Sequence, residues 1–76
     1  MIELKPKFRG AYHNRAAAYL KKGDYDRAIA DYTKMIELDP KWALDYTYRG
    51  DAYKEKGDST RAEADYNKAK ELRGEK

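Results

Sequence analysis

The amino-acid sequence predicts an all-α protein made of antiparallel αα-hairpins, and three observations carry that expectation. Sliding the 76-residue chain against itself by 34 positions makes about half of the 42 overlapping pairs identical. A period of that length marks one supersecondary unit that stacks on its neighbours. Within each unit small and aromatic residues recur at i, i+4 and i+7, the spacing of one helical face. They are Tyr12, Ala16 and Tyr19, then Ala28, Tyr32 and Met35, and in the second unit Tyr46, Gly50 and Tyr53, then Ala62, Tyr66 and Ala69. Between the two faces of each unit stands Gly23-Asp24 or Gly57-Asp58. Glycine can take the left-handed conformation that closes one helix, and aspartate accepts from the free N–H groups that open the next. A connection this short forces the two helices to lie side by side and antiparallel.

Taken in order, Met1-Ile2-Glu3-Leu4 duplicates Met35-Ile36-Glu37-Leu38 and Pro6 duplicates Pro40. Residues 1–8 therefore read as the remnant of a preceding unit's second helix and loop. A chain that starts in mid-repeat suggests a piece of a longer array or an engineered chain. Residues 9–42 form the first unit, with a helix over 9–22 and a second helix that Pro40 stops. Residues 43–76 form the second, and the whole is one domain. Arg15 and Asp31 recur in register as Arg49 and Asp65, one on each helix of a hairpin. A charge on an inner face needs a partner or water, so bridges Arg15–Asp31 and Arg49–Asp65 are expected. The alternative is that the arginine stems lie along the helix with their heads in solvent. Tyr25, Ile29 and Ile36 become Ser59, Glu63 and Lys70 in the second unit, which makes that face polar, so residues 59–72 read as a terminal cap. The outer side of helix 9–22 is left uncovered. About three repeats are usually needed for a stable stack, so self-association through that face, as a homodimer, is one expectation.

A 34-residue helix–turn–helix unit with Gly-Asp at the turn, aromatic and small residues at fixed spacing and a closing proline resembles the tetratricopeptide repeat. The family's eight favoured positions are filled by Tyr12, Arg15, Ala16, Tyr19, Ala28, Tyr32, Met35 and Pro40, and by Tyr46, Arg49, Gly50, Tyr53, Ala62, Tyr66, Ala69 and Gly74. The resemblance covers residues 9–72. Gly74 departs from the closing proline, and Arg15 and Arg49 stand where the family usually has leucine. The resemblance implies a short right-handed superhelix and a non-enzymatic protein–protein interaction module or scaffold. Such a module holds a partner's peptide segment in the concave groove of the first helices. Carried over by position, the groove is His13, Ala17, Leu20 and Lys21 with Thr47, Asp51, Lys54 and Glu55, and Tyr48 flanks it as an exposed aromatic anchor. The members that clamp the acidic tail of heat-shock chaperones use Lys and Asn in this groove. His13, Ala17 and Tyr48 occupy the matching places here, so that clamp is not expected. A mixed lining and only two repeats imply micromolar or weaker binding.

Composition narrows the alternatives. Ile, Leu, Val and Phe supply only nine residues, below the roughly 20% that accompanies ordered chains, and eleven Ala and eight Tyr supply the apolar face instead. The chain has no Cys and one His, which removes thiol redox chemistry and Cys/His metal sites, and no cofactor is expected. No nucleophile–base pair, separated carboxylate pair or phosphate-cradling glycine loop is evident, so the chain is not expected to be an enzyme. Ser59, the sole serine, suits a helix start. The 17 Lys and Arg nearly balance the 14 Asp and Glu. Lys21, Lys22, Lys54 and Lys56 fall at the ends of the first helices, where they offset the helix dipole. No basic face gathers, so nucleic-acid binding is a weak rival reading. A structural or engineered minimal repeat that only self-associates is the stronger rival. No apolar run approaches the ~20 residues of a membrane span and no signal peptide opens the chain. A soluble, cytoplasmic setting without membrane contact is expected, with the compartment otherwise open.

Overall fold

A computed structural model describes residues 6–74, with side chains from Arg9 onward. Of the expected remnant over residues 1–8, residues 1–5 lie outside the described residues, and residues 6–8 belong to the first helix and not to a loop. Four helices follow one another: α1 (Pro6–Lys22), α2 (Tyr25–Leu38), α3 (Ala43–Lys56) and α4 (Ser59–Leu72). Each packs on the next, α1 on α2, α2 on α3 and α3 on α4, which spreads the chain into a slab of 39 × 34 × 13 Å. No strand occurs among the described residues.

Both hairpin turns are built identically. Gly23 and Gly57 adopt φ of 80° and 98°, a conformation that only glycine takes without cost. The N–H of Asp24 reaches back to the Tyr19 carbonyl and that of Asp58 to the Tyr53 carbonyl, both at 2.8 Å, closing α1 and α3 with the six-to-one bond of a left-handed C-cap. The same aspartates then cap the next helices, Oδ1 of Asp24 accepting from the Arg27 N–H and Oδ1 of Asp58 from the Arg61 N–H.

The first helix starts at Pro6 and not at residue 9. Proline suits a first helical turn because its missing N–H would be unpaired there anyway. Its counterpart Pro40 lies in a turn instead. The Asp39 carboxylate accepts the Lys41 N–H at 3.3 Å and the Trp42 indole N–H at 2.8 Å, which holds residues 39–42 out of helix until Ala43. Those two hydrogen bonds, the indole's foremost, hold the Asp39 carboxyl below its ordinary pKa.

The core consists of Ala16, Ala28, Tyr32, Met35 and Ala52, with Tyr12, Tyr19, Leu20, Ile29 and Tyr48 packed against it. Alanines let the helices approach and tyrosine rings fill the gaps. Gly50 takes this furthest. A Cβ there would stand 2.8 Å from the Tyr66 ring and 3.2 Å from the Ala62 carbonyl oxygen, although the first unit accommodates Ala16 at the matching place.

Guanidinium–carboxylate forks link the paired helices. Arg15 donates through Nε and Nη2 to both oxygens of Asp31 at 2.9 and 2.8 Å, and Arg49 does the same to Asp65 at the same distances. Arg49 also donates from Nη1 to Thr33 Oγ1 at 3.2 Å, so one side chain of α3 ties α4 to α2. The fork raises both arginine pKa values, chiefly through the hydrogen bonds. Their settings differ: the Arg15 side chain is 58% exposed and that of Arg49 20%. A third pair joins α1 to α3, Arg9 Nη2 contacting Asp45 Oδ1 and Oδ2 at 2.6 and 2.5 Å. Asp45 is 1% exposed, and the Arg9 guanidinium lies 4.8 Å over the Trp42 ring.

Two outcomes follow from this packing. Gly50→Ala is expected to lower stability by about 1 kcal/mol in a urea melt, because overpacking outweighs the helix-propensity gain of alanine. In double-mutant cycles to alanine, Arg49 and Asp65 are expected to couple by about 2 kcal/mol. The solvent-screened pair Arg15–Asp31 is expected to couple less, and equal couplings would contradict the assigned role of burial.

Candidate functional site

The last turns of α1 and α3 sit beside each other because the Gly-Asp turns end both helices at the same point of the repeat. Leu20 and Lys21 of α1, Tyr25 of α2, and Asp51, Lys54 and Glu55 of α3 surround a cleft of about 450 Å³. Five of the nine residues assigned to the groove from sequence thus share one cleft. The start of α2 adds Tyr25, which the sequence placed on the face that becomes polar in the second unit. Its signal was the exchange of an aromatic ring for Ser59 at the matching position. The cleft offers two ammonium groups, two carboxylates, an aliphatic side chain and an aromatic ring, a lining suited to a polypeptide of mixed character.

Asp51 serves the fold as well. Its Oδ1 accepts the Tyr66 hydroxyl at 2.5 Å, binding α3 to α4. Removing that proton would set a phenolate against a carboxylate, so this hydrogen bond foremost pushes the Tyr66 pKa up to about 12. Burial foremost raises the pKa of Tyr32.

His13 and Tyr48 fall at a second hollow, of about 290 Å³, together with Arg9, Trp42, Leu44 and Asp45. Tyr48 is half-buried and not the exposed anchor expected from its place outside the repeat's packing pattern. Its ring stacks on Tyr32 at 5.7 Å and meets His13 at 4.7 Å. The ring is covered because Tyr32 of α2 and His13 of α1 both lie against it. Trp42 and Leu44 remain about half exposed at the rim. Ala17 and Thr47 line neither hollow: Ala17 faces solvent, and the Thr47 hydroxyl donates to the Ala43 carbonyl at 3.4 Å. The four charged residues Arg15, Asp31, Arg49 and Asp65 lie away from both hollows, in the helix-to-helix forks.

Comparison with known families gives two matches to models described as tetratricopeptide repeat, over residues 10–41 and 46–76. The chain belongs to the tetratricopeptide repeat family. Tetratricopeptide repeats are in general non-enzymatic modules through which proteins bind one another. No curated protein matches this chain. Among the described residues no helix is long and apolar enough to cross a membrane.

The Tyr66–Asp51 bond predicts a titration. A tyrosine whose folded pKa lies above its ordinary value of 10.0, at about 12, retains its proton in the native state after the unfolded state has lost it. The stabilisation is therefore complete below pH 10 and disappears as pH rises through about 12. Tyr66→Phe is expected to remove one late-titrating tyrosine from the alkaline absorbance curve and to flatten the fall of stability in that window. An unchanged curve would place the slow titration elsewhere.

Proposed function

We propose that this tetratricopeptide repeat chain docks a peptide segment of a partner protein in the cleft between the last turns of α1 and α3. The observation that carries this reading is the convergence of Leu20, Lys21, Asp51, Lys54 and Glu55, with Tyr25, around one cleft. Apolar area from Leu20 and Tyr25 supplies affinity, and charges of both signs orient the bound segment. Asp51 is held by Tyr66, which keeps one carboxylate fixed towards the cleft. Lys21 and Lys54 are exposed. The occupant that suits this lining has a central apolar side chain flanked by a carboxylate and a basic group, bound weakly by a small surface. The chain is then a scaffold element and carries out no reaction.

A library of random dodecamer peptides displayed on phage, selected on the immobilised chain, tests this. Recovered peptides are expected to bind the parent chain and to weaken several-fold against Lys54→Glu or Glu55→Lys, both of which change only exposed positions. Peptides that bind both variants as tightly as the parent would place the docking surface elsewhere.

A further inference from the structure

The hollow of about 290 Å³ beside the first turns of α1 and α3 differs in kind from the cleft at their last turns. Of the carboxylates, lysines and arginines, only Arg9 and Asp45 reach its wall, and they are each other's partners. That pair brings no net charge, whereas the cleft carries two ammonium groups and two carboxylates. The rest of the wall is apolar or aromatic, with Met35, Leu44, Trp42, Tyr48 and the His13 ring. A large neutral side chain suits it.

The aromatic part of that wall is held in place. The Trp42 indole N–H donates to Asp39 Oδ2 at 2.8 Å and the Arg9 guanidinium lies 4.8 Å over the ring. Even so, Trp42 is 49% exposed and Leu44 beside it 55%. Tyr48 is stacked on Tyr32 and met by His13. Fixed apolar side chains that are still half open to water lose little further freedom when a partner covers them, and that is the setting of an interface anchor. Rings at Trp42 and Tyr48 can meet another ring by face or edge, and the Met35 thioether adds a favourable contact to an aromatic occupant.

Hollow and cleft share one face of α1, since His13, Ala17 and Leu20 stand at i, i+4 and i+7. Ala17, between them, is exposed and small, so this row carries no bulky side chain from one to the other. The two sites lie about 13 Å apart along the helices, eight or nine residues at the helical rise. About four residues of extended chain cover that length and return a side chain to the same side. Eight or nine residues of a bound helix would swing the second side chain a quarter to half a turn away.

We propose that the hollow holds an aromatic side chain of the same partner segment that docks in the cleft. The segment runs extended across α1 and α3, with its aromatic residue four positions from the apolar residue in the cleft. This inference rests on the docking reading of the cleft and adds to it the anchor, the spacing and the extended conformation.

Trp42 is the sole tryptophan of the chain, so its fluorescence reports on the hollow directly. The probe is acetyl-Phe-Ser-Ser-Glu-Leu-Lys-amide, made in both chain directions, the tighter-binding order being carried into the variants. A saturable change in Trp42 fluorescence is expected, with affinity falling roughly tenfold when alanine replaces the phenylalanine. One further serine between the two anchors turns one of them away and is expected to cost a similar factor. Gly10 lines the hollow and a Cβ there meets nothing within 4 Å, so Gly10→Leu crowds the hollow while favouring the helix. It is expected to weaken the phenylalanine peptide and to leave the alanine peptide unchanged. A fluorescein-labelled peptide without the aromatic residue, followed by anisotropy, reports on the cleft alone. Cleft binding that is sensitive to Lys54→Glu, with no gain from phenylalanine and no response of Trp42, would overturn this inference and leave the cleft reading standing. Equal affinity of the lengthened peptide would overturn the extended spacing. Absence of binding by every peptide, or binding indifferent to Lys54→Glu, would overturn both readings.

Discussion

One guanidinium holds three helices together. Arg49 forks onto Asp65 of α4 and reaches Thr33 of α2, and the sides of its guanidinium are flanked by Tyr46 and Tyr53. Taking an arginine out of water costs several kcal/mol unless its donors are satisfied. Here a carboxylate and a hydroxyl meet them, and the aromatic rings cover the stem. The need for that set of acceptors fixes which helix lies beside which and at what register. A core of alanines and tyrosines supplies less apolar area than one of leucines, so positional selection falls to polar groups to an unusual degree. Asp45 and Arg9 extend the same logic to the start of α1.

The candidate cleft inherits its geometry from these restraints. The Gly-Asp turns end α1 and α3 at equivalent points, and the α2–α3 register sets the two ends side by side. Lys21 and Lys54 therefore line one cleft together with Asp51 and Glu55. The Asp51–Tyr66 bond couples the cleft to the α3–α4 packing, so a change at the cleft floor is felt in the hairpin.

Much of the architecture was legible because the period of 34 and the helical spacing of Tyr and Ala repeat twice in one short chain. Arg15, Asp31, Arg49 and Asp65 stood out for the same reason, being charged residues in register on facing helices. The Arg9–Asp45 pair was not legible from the repeat. Both residues break it, Arg9 replacing the counterpart of Ala43 and Asp45 that of Ala11. Opposite charges appearing where the other unit has alanine were the available signal. Thr33 was equally hidden, since its role depends on how one hairpin stacks on the next and not on the pattern within either. Tyr48 was misjudged as an exposed ring because periodicity describes which side of a helix a residue takes and says nothing of gaps between helices. The start of α1 at Pro6 was missed because a proline at the matching position 40 follows the end of a helix, and it is the Asp39–Trp42 side-chain pair, replaced by Lys5 and Phe8 in the first unit, that separates the two cases.

The most direct test of Arg49 as the shared tie is site-resolved amide hydrogen exchange on Arg49→Lys beside the parent chain. Lysine keeps the charge and loses the fork. The expected result is that the slowest amides of α2 lose protection together with those of α3 and α4, since all three helices lean on one side chain. Full retention of α2 protection, with loss confined to α3 and α4, would contradict it.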